Sequence, residues 1–87
     1  MYYAISTDVA WREVGGELFV ISPDGFLHGV RSEAGLFIWL QIERGSPRSE
    51  IIADLCEQFD VAPEEARRDF DEFVGTMLSK GLVLVRE

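Results

Sequence analysis

Residues 9–30 read VAWREVGGELFVISPDGFLHGV, and the two turns inside this stretch decide the fold. Val9 to Val14 and Glu17 to Ile21 carry the β-branched and aromatic residues of strands, and Gly15-Gly16 between them supplies the positive-φ pair of a tight hairpin. Ser22-Pro23-Asp24-Gly25 follows at once, with proline where φ is held at about −65° and glycine where a left-handed residue is needed. Phe26 to Val30 then reads as a third strand. The expected sheet is antiparallel in the order one-two-three, which leaves the third strand at an edge.

Downstream of Val30 the pattern turns helical. Ser32 can cap a helix whose apolar residues Phe37, Ile38, Trp39, Leu40 and Ile42 wrap most of its surface, and Gly45 suits its C-terminal end. Ser46-Pro47 offers an N-cap with proline at the first helical position, before Ile51, Ile52, Leu55, Cys56 and Phe59 on one face. Pro63 opens a third helix with Glu64 and Glu65 in its first turn, Ala66, Phe70, Phe73, Val74, Met77 and Leu78 as its stripe, and Lys80-Gly81 at its end. Leu82 to Val85 is a short closing strand or an extended tail. The expected class is α+β and winged-helix-like, a three-stranded antiparallel sheet followed by three helices, in one domain over residues 1–87.

The chain has 87 residues, 47% of them apolar, which is enough for a core but leaves little interior for a deep catalytic pocket. An autonomous enzyme is therefore disfavoured, and no catalytic residue or cofactor is assigned. Lone Cys56 excludes an internal disulfide, and one histidine with one cysteine cannot make a zinc site of about four ligands. The start, Met1-Tyr-Tyr-Ala-Ile-Ser, lacks the basic region of a signal sequence, and the longest apolar run, Leu36 to Leu40, falls far short of the ~18 residues of a membrane span. A cytoplasmic protein with no membrane partner is expected.

Charge excludes more. Sixteen acidic residues against eight basic ones give a net charge of −8. From Glu50 to Glu72 there are nine acids against Arg67 and Arg68 alone, so this stretch holds −7 of the total. In a helix-turn-helix protein the second and third helices meet phosphate and need lysine and arginine there. Nucleic acid is not an expected partner.

From Gly35 onward the chain resembles the family of pyrroloquinoline quinone biosynthesis protein D (PqqD), the peptide-recognition domain of ribosomal-peptide modification systems. The residues that carry the resemblance are Gly35-Leu-Phe-Ile-Trp39 with Gly45, Glu50-Ile-Ile-Ala53 with Leu55, and Phe59-Asp60-Val61 before Glu64-Glu65-Ala66. Asp69, Phe73 and Leu78 before Lys80-Gly81-Leu82 continue it, and Trp11-Arg12-Glu13-Val14 and Pro23-Asp-Gly25 fit more loosely. The resemblance implies a non-catalytic domain that binds the leader of a precursor peptide as an added strand beside the third strand, packed against the third helix. It implies a groove of Phe26, Leu27, His28, Gly29 and Val30 with Arg67, Phe70, Asp71, Val74 and Leu78. The implied partner besides the leader is a modifying enzyme of the radical S-adenosylmethionine type. Arg31 stands where an asparagine often precedes the helix in the family, and Gly29 gives the binding strand no side chain at one position.

Each of these residues also has a plainer reading. His28 is either a donor to a leader carboxylate or an exposed strand residue. Cys56 lies on an apolar stripe and reads as a buried structural thiol. Asp69, Asp71 and Glu72 read as a solvated helix face, and Arg67 either relieves their repulsion or clamps a leader acid. The rival function is that of an acidic winged-helix-like adaptor for a folded protein. Either way, duplex DNA is not a ligand: mobility-shift assays at low salt are expected to show no complex, and tight binding that weakens steeply as salt rises would contradict the charge reading.

Overall fold

The computed structural model describes residues 2–86, and the expectations placed on Met1 and Glu87 lie outside them. In chain order the elements are β1 (Tyr2–Ile5), β2 (Ala10–Val14), β3 (Glu17–Ile21), β4 (Leu27–Val30), α1 (Glu33–Glu43), α2 (Arg48–Phe59), α3 (Pro63–Ser79) and β5 (Val83–Arg86). The class is α+β with antiparallel sheets, but the single sheet expected from sequence is corrected to two. β2, β3 and β4 form the meander in that order, while β1 pairs with β5 from opposite ends of the chain. Tyr3 faces Val85 and Ile5 faces Val83 in that second sheet. No helix among the described residues is long and apolar enough to cross a membrane.

Local chemistry explains most boundaries. The Ser32 side chain accepts the Gly35 N–H and caps α1, as its position before the helix suggests. α1 and α3 end alike: the Gly45 N–H donates to Ile42 O and the Ser46 N–H to Gln41 O, and the Gly81 N–H donates to Leu78 O and the Leu82 N–H to Met77 O. Each ending needs a left-handed residue, supplied by Gly45 at φ +83° and Gly81 at φ +71°. The start of α2 differs from expectation. Pro47 is the N-cap rather than the first helical residue, and no side chain caps that end. Ser46 instead donates its hydroxyl to Gln41 Oε1 at 3.1 Å, and Gln41 Nε2 donates to Asp54 Oδ2 at 3.2 Å, so buried Gln41 ties the loop to both helices.

Two apolar clusters fill the interior. Ile38 and Ile42 of α1, Ile51, Ile52 and Leu55 of α2, and Ala66, Phe70 and Val74 of α3 make the helical one. Leu18, Val20, Trp39, Met77, Leu82 and Val83 make the other, beneath the three-stranded sheet. Trp39 is fully buried, and Trp11 meets it edge-on at 6.0 Å. Tyr3, Ile5, Phe73 and Leu78 pack against both clusters and join them.

Of the glycines, Gly35 has the least room for a side chain. A Cβ there would lie 2.9 Å from Val30 Cγ1 and 3.1 Å from Phe73 Cε1, so β4, α1 and α3 meet at a point where no side chain fits. Gly35→Ala is expected to cost about 1–3 kcal/mol of stability through overpacking. Gly75→Ala, on an exposed turn of α3 where an added Cβ meets nothing within 4 Å, should instead gain up to about 1 kcal/mol. Urea denaturation of the pair checks both signs.

Candidate functional site

The site begins with backbone groups. The Gly25 N–H donates to Ser22 O and the Ser22 N–H to Phe26 O, which closes the β3–β4 hairpin and makes Ser22 and Phe26 a hydrogen-bonded pair. For this reason Phe26 belongs to the turn and β4 begins at Leu27, one residue later than expected. The Ser22 hydroxyl also donates to Asp24, and that bond is the main reason the Asp24 carboxyl is held below the usual carboxylate range. From the closing pair, bonded and non-bonded pairs must alternate along an antiparallel ladder. His28 opposite Val20 and Val30 opposite Leu18 therefore bond to β3, while Leu27 and Gly29 turn their N–H and C=O groups outward. β4 is the last strand of its sheet, so these four groups form an open edge.

Side chains alternate with them. His28 and Val30 share the inner face with buried Leu18 and Val20, and both are half-buried. Leu27 lies on the outer face beside Ile21, and the two are 63% and 45% exposed. Phe26 is 66% exposed in the turn beside them, and half-buried Phe19 lies opposite Gly29. An apolar surface of this kind next to unpaired backbone is what an incoming strand covers.

On α3 the structure separates the residues that the stripe grouped. Phe70 and Val74, expected in the lining, are buried in the helical cluster and stand behind the α3 surface. Asp71 is exposed but turns toward α2, where Arg48 Nη2 donates to Asp71 Oδ1 at 3.1 Å and to Oδ2 at 3.2 Å while its guanidinium sits 5.7 Å from the Phe70 ring centre. Arg67 lies near Asp71 on an exposed surface with Glu64, Arg68 and Glu72. Leu78 is half-buried between the two clusters.

A different face of α3 adjoins the end of β4. Asp69, Glu72, Phe73 and Thr76 form one wall of a groove of about 370 Å³, and Ser32, Ala34, Gly35 and Ile38 of the α1 start form the other. Phe73 and Val30 approach the same point at Gly35, which places the groove at the end of the open strand. Sequence reasoning treated Asp69 and Glu72 as solvated and Phe73 as core. The available signal was their spacing, since 69, 72, 73 and 76 run along the helix one step round from the buried stripe. Among the described residues no group of three or more His, Cys, Asp or Glu side chains gathers to hold a metal, and Cys56 is half-buried against the helical cluster.

Fold and site together define a small α+β protein with an unpaired sheet edge running into a groove between two helices. Residues 31–83 match the sequence model of the family described as Coenzyme PQQ synthesis protein D (PqqD), and the chain belongs to that family. The matched stretch begins just after β4. Among solved structures the chain is similar to TbiB1, from a structure of "TbiB1 in Complex with the TbiA(beta) Leader Peptide", with a TM-score of 0.88. The identity is 24% over 97% of this chain and 98% of that one, a likeness of fold that includes β4. No curated protein matches the chain in sequence.

The division of α3 into a buried and a groove-facing side has a direct check. Phe70→Ala should cost about 3–5 kcal/mol of folding stability, as truncation of a buried phenylalanine does. Glu72→Gln on the exposed side should leave stability within about 0.5 kcal/mol, and chemical denaturation curves distinguish the two.

Proposed function

We propose that this protein is a non-catalytic leader-peptide-binding protein that presents a ribosomally synthesised precursor peptide to a modifying enzyme. The leader joins the sheet as a strand beside β4. One observation carries the reading: Leu27 and Gly29 direct unpaired N–H and C=O groups outward at the sheet edge, next to exposed Leu27 and Phe26, and at the end of that strand Val30 meets Phe73 of the α1–α3 groove over Gly35. A fully satisfied ladder would offer an extended peptide nothing. Here a peptide gains backbone hydrogen bonds, and its side chains meet an apolar surface on one face and a groove on the other.

Membership of the PqqD family and the fold shared with TbiB1, which was solved with a leader peptide, support the same reading. The partner enzyme is of the radical S-adenosylmethionine class, which rests on the family resemblance; the cytoplasm as compartment rests on the absence of a signal or membrane segment from the sequence, and action as one recognition domain on its 87 residues. Within the site, Phe26, Leu27, His28, Gly29 and Val30 form the strand side. Arg67, Asp71 and Leu78 lie on α3 away from its groove-facing side and contribute through charge and packing, and Phe70 and Val74 hold α3 in place. Burying a side chain the size of Leu27 gives about 1.5–3 kcal/mol, whereas an exposed ion pair gives ~0–1 kcal/mol, so apolar contacts supply most of the affinity.

A matched pair of variants tests the placement. Gly29→Ala keeps the outward N–H, and its Cβ meets only Phe19 Cε1 at an ordinary 3.9 Å. Gly29→Pro removes that donor. Calorimetry with leaders of precursor peptides encoded beside this gene should show near-normal binding to Gly29→Ala and about tenfold weaker binding to Gly29→Pro, the upper end for one lost hydrogen bond. Circular dichroism confirms that both variants fold. Equal affinity for the two would overturn β4 pairing.

A further inference from the structure

The geometry points to a leader in which a lysine or arginine side chain enters the α1–α3 groove while apolar side chains cover the opposite face of the sheet. This inference rests on β4 pairing and adds the chemistry that chooses the peptide.

A strand added beside β4 continues its alternation, so successive leader side chains point to opposite faces. On the outer face they meet Phe19, Ile21 and Leu27, an apolar surface without a charged residue among the three. On the inner face they follow His28 and Val30 toward the groove at Gly35. That groove has an apolar floor of Ala34, Ile38 and Phe73 and carries the carboxylates of Asp69 and Glu72 on its α3 wall.

The charges in the groove favour a cation. Among the described residues Glu17 pairs with Arg31, Glu65 with Arg68 and Asp71 with Arg48, whereas Asp69 and Glu72 make no ion pair. Asp69 is half-buried beside the apolar floor, while Glu72 is exposed and also shares a surface with Arg67 and Arg68, so the negative charge of the groove is centred on Asp69 with Glu72 at its rim. The start of α1 opposes this only weakly. Its dipole amounts to roughly half a positive charge, Ser32 already accepts the Gly35 N–H, and Glu33 stands in the first turn. The full negative charge of Asp69, with Glu72 at the rim, therefore outweighs it. A lysine or arginine fits both parts of the groove, with its methylene stem along Phe73 and its head at the carboxylates. A leader acid in the same place would meet like charge in a chain already at −8.

The alternation makes the inference specific. The basic residue and the apolar residues that cover Leu27 and Ile21 lie on opposite faces, so they are separated by an odd number of positions in the leader.

The experiment is selection from a displayed library of random 14-residue peptides on three proteins: wild type, the double variant Asp69→Asn/Glu72→Gln, and Gly29→Pro. Wild type is expected to enrich lysine or arginine at one position, an odd number of residues from an apolar position. The double variant should still select the apolar position but lose the basic preference by about five- to tenfold, the effect of two partly exposed charge contacts. The wild-type preference should also shrink in high salt as the Debye length falls. Unchanged basic enrichment on the double variant, or acidic enrichment on wild type, overturns the inference while leaving β4 pairing intact. If Gly29→Pro selects the same peptides as wild type, β4 pairing fails and this inference fails with it.

Discussion

The contact at Gly35 is the constraint on which the rest depends. Only Arg31 and Ser32 separate the end of β4 from the start of α1, so strand and helix must diverge within two residues. They do so by packing Val30 and Phe73 against a backbone with no side chain, at distances that a Cβ would violate. Phe73 belongs to both apolar clusters, so the same contact fixes the sheet relative to the helices. Three elements meeting at one point leave β4 with its outer edge unpaired and with the groove at its end. A larger residue at position 35 would crowd the Val30 and Phe73 side chains that meet there.

Electrostatics acts on this frame without building it. Among the described residues three ion pairs lie on the surface, all with partners more than a third exposed, and pairs of that kind stabilise by ~0–1 kcal/mol. The net charge of −8 matters more for encounter than for folding. It discourages polyanions and speeds association with a positively charged peptide, over a range set by a Debye length of about 8 Å at physiological salt.

Much of the fold was legible because its signals are local. Gly15-Gly16, Ser22 to Gly25, the Ser32 cap, Pro63 and the two terminal glycines each act within a few residues, and each stands where the sequence suggests. β1 was missed because its evidence is distant. Tyr2–Ile5 is four residues long, has no turn of its own and becomes a strand only by pairing with Val83–Arg86 at the other end of the chain. Pro47 slipped by one position because Ser46 found a better partner in buried Gln41 than in the helix it precedes. The strand side of the candidate site follows from the turns alone. The helix side does not, because periodicity shows that α3 has an apolar stripe but not which element covers it. Phe70 and Val74 are apolar because they are core, and the groove residues Asp69 and Glu72 resemble any solvated pair until Gly35 shows what lies opposite.

Hydrogen exchange at the β4 amides tests the central claim most directly. The His28 and Val30 amides are already bonded to β3 and should exchange slowly with or without peptide. The Leu27 and Gly29 amides point outward, so they should exchange quickly in the free protein and become protected when a leader peptide is added. Protection that appears on α2 or on the β1–β5 sheet, with Leu27 and Gly29 unchanged, would contradict strand addition at this edge.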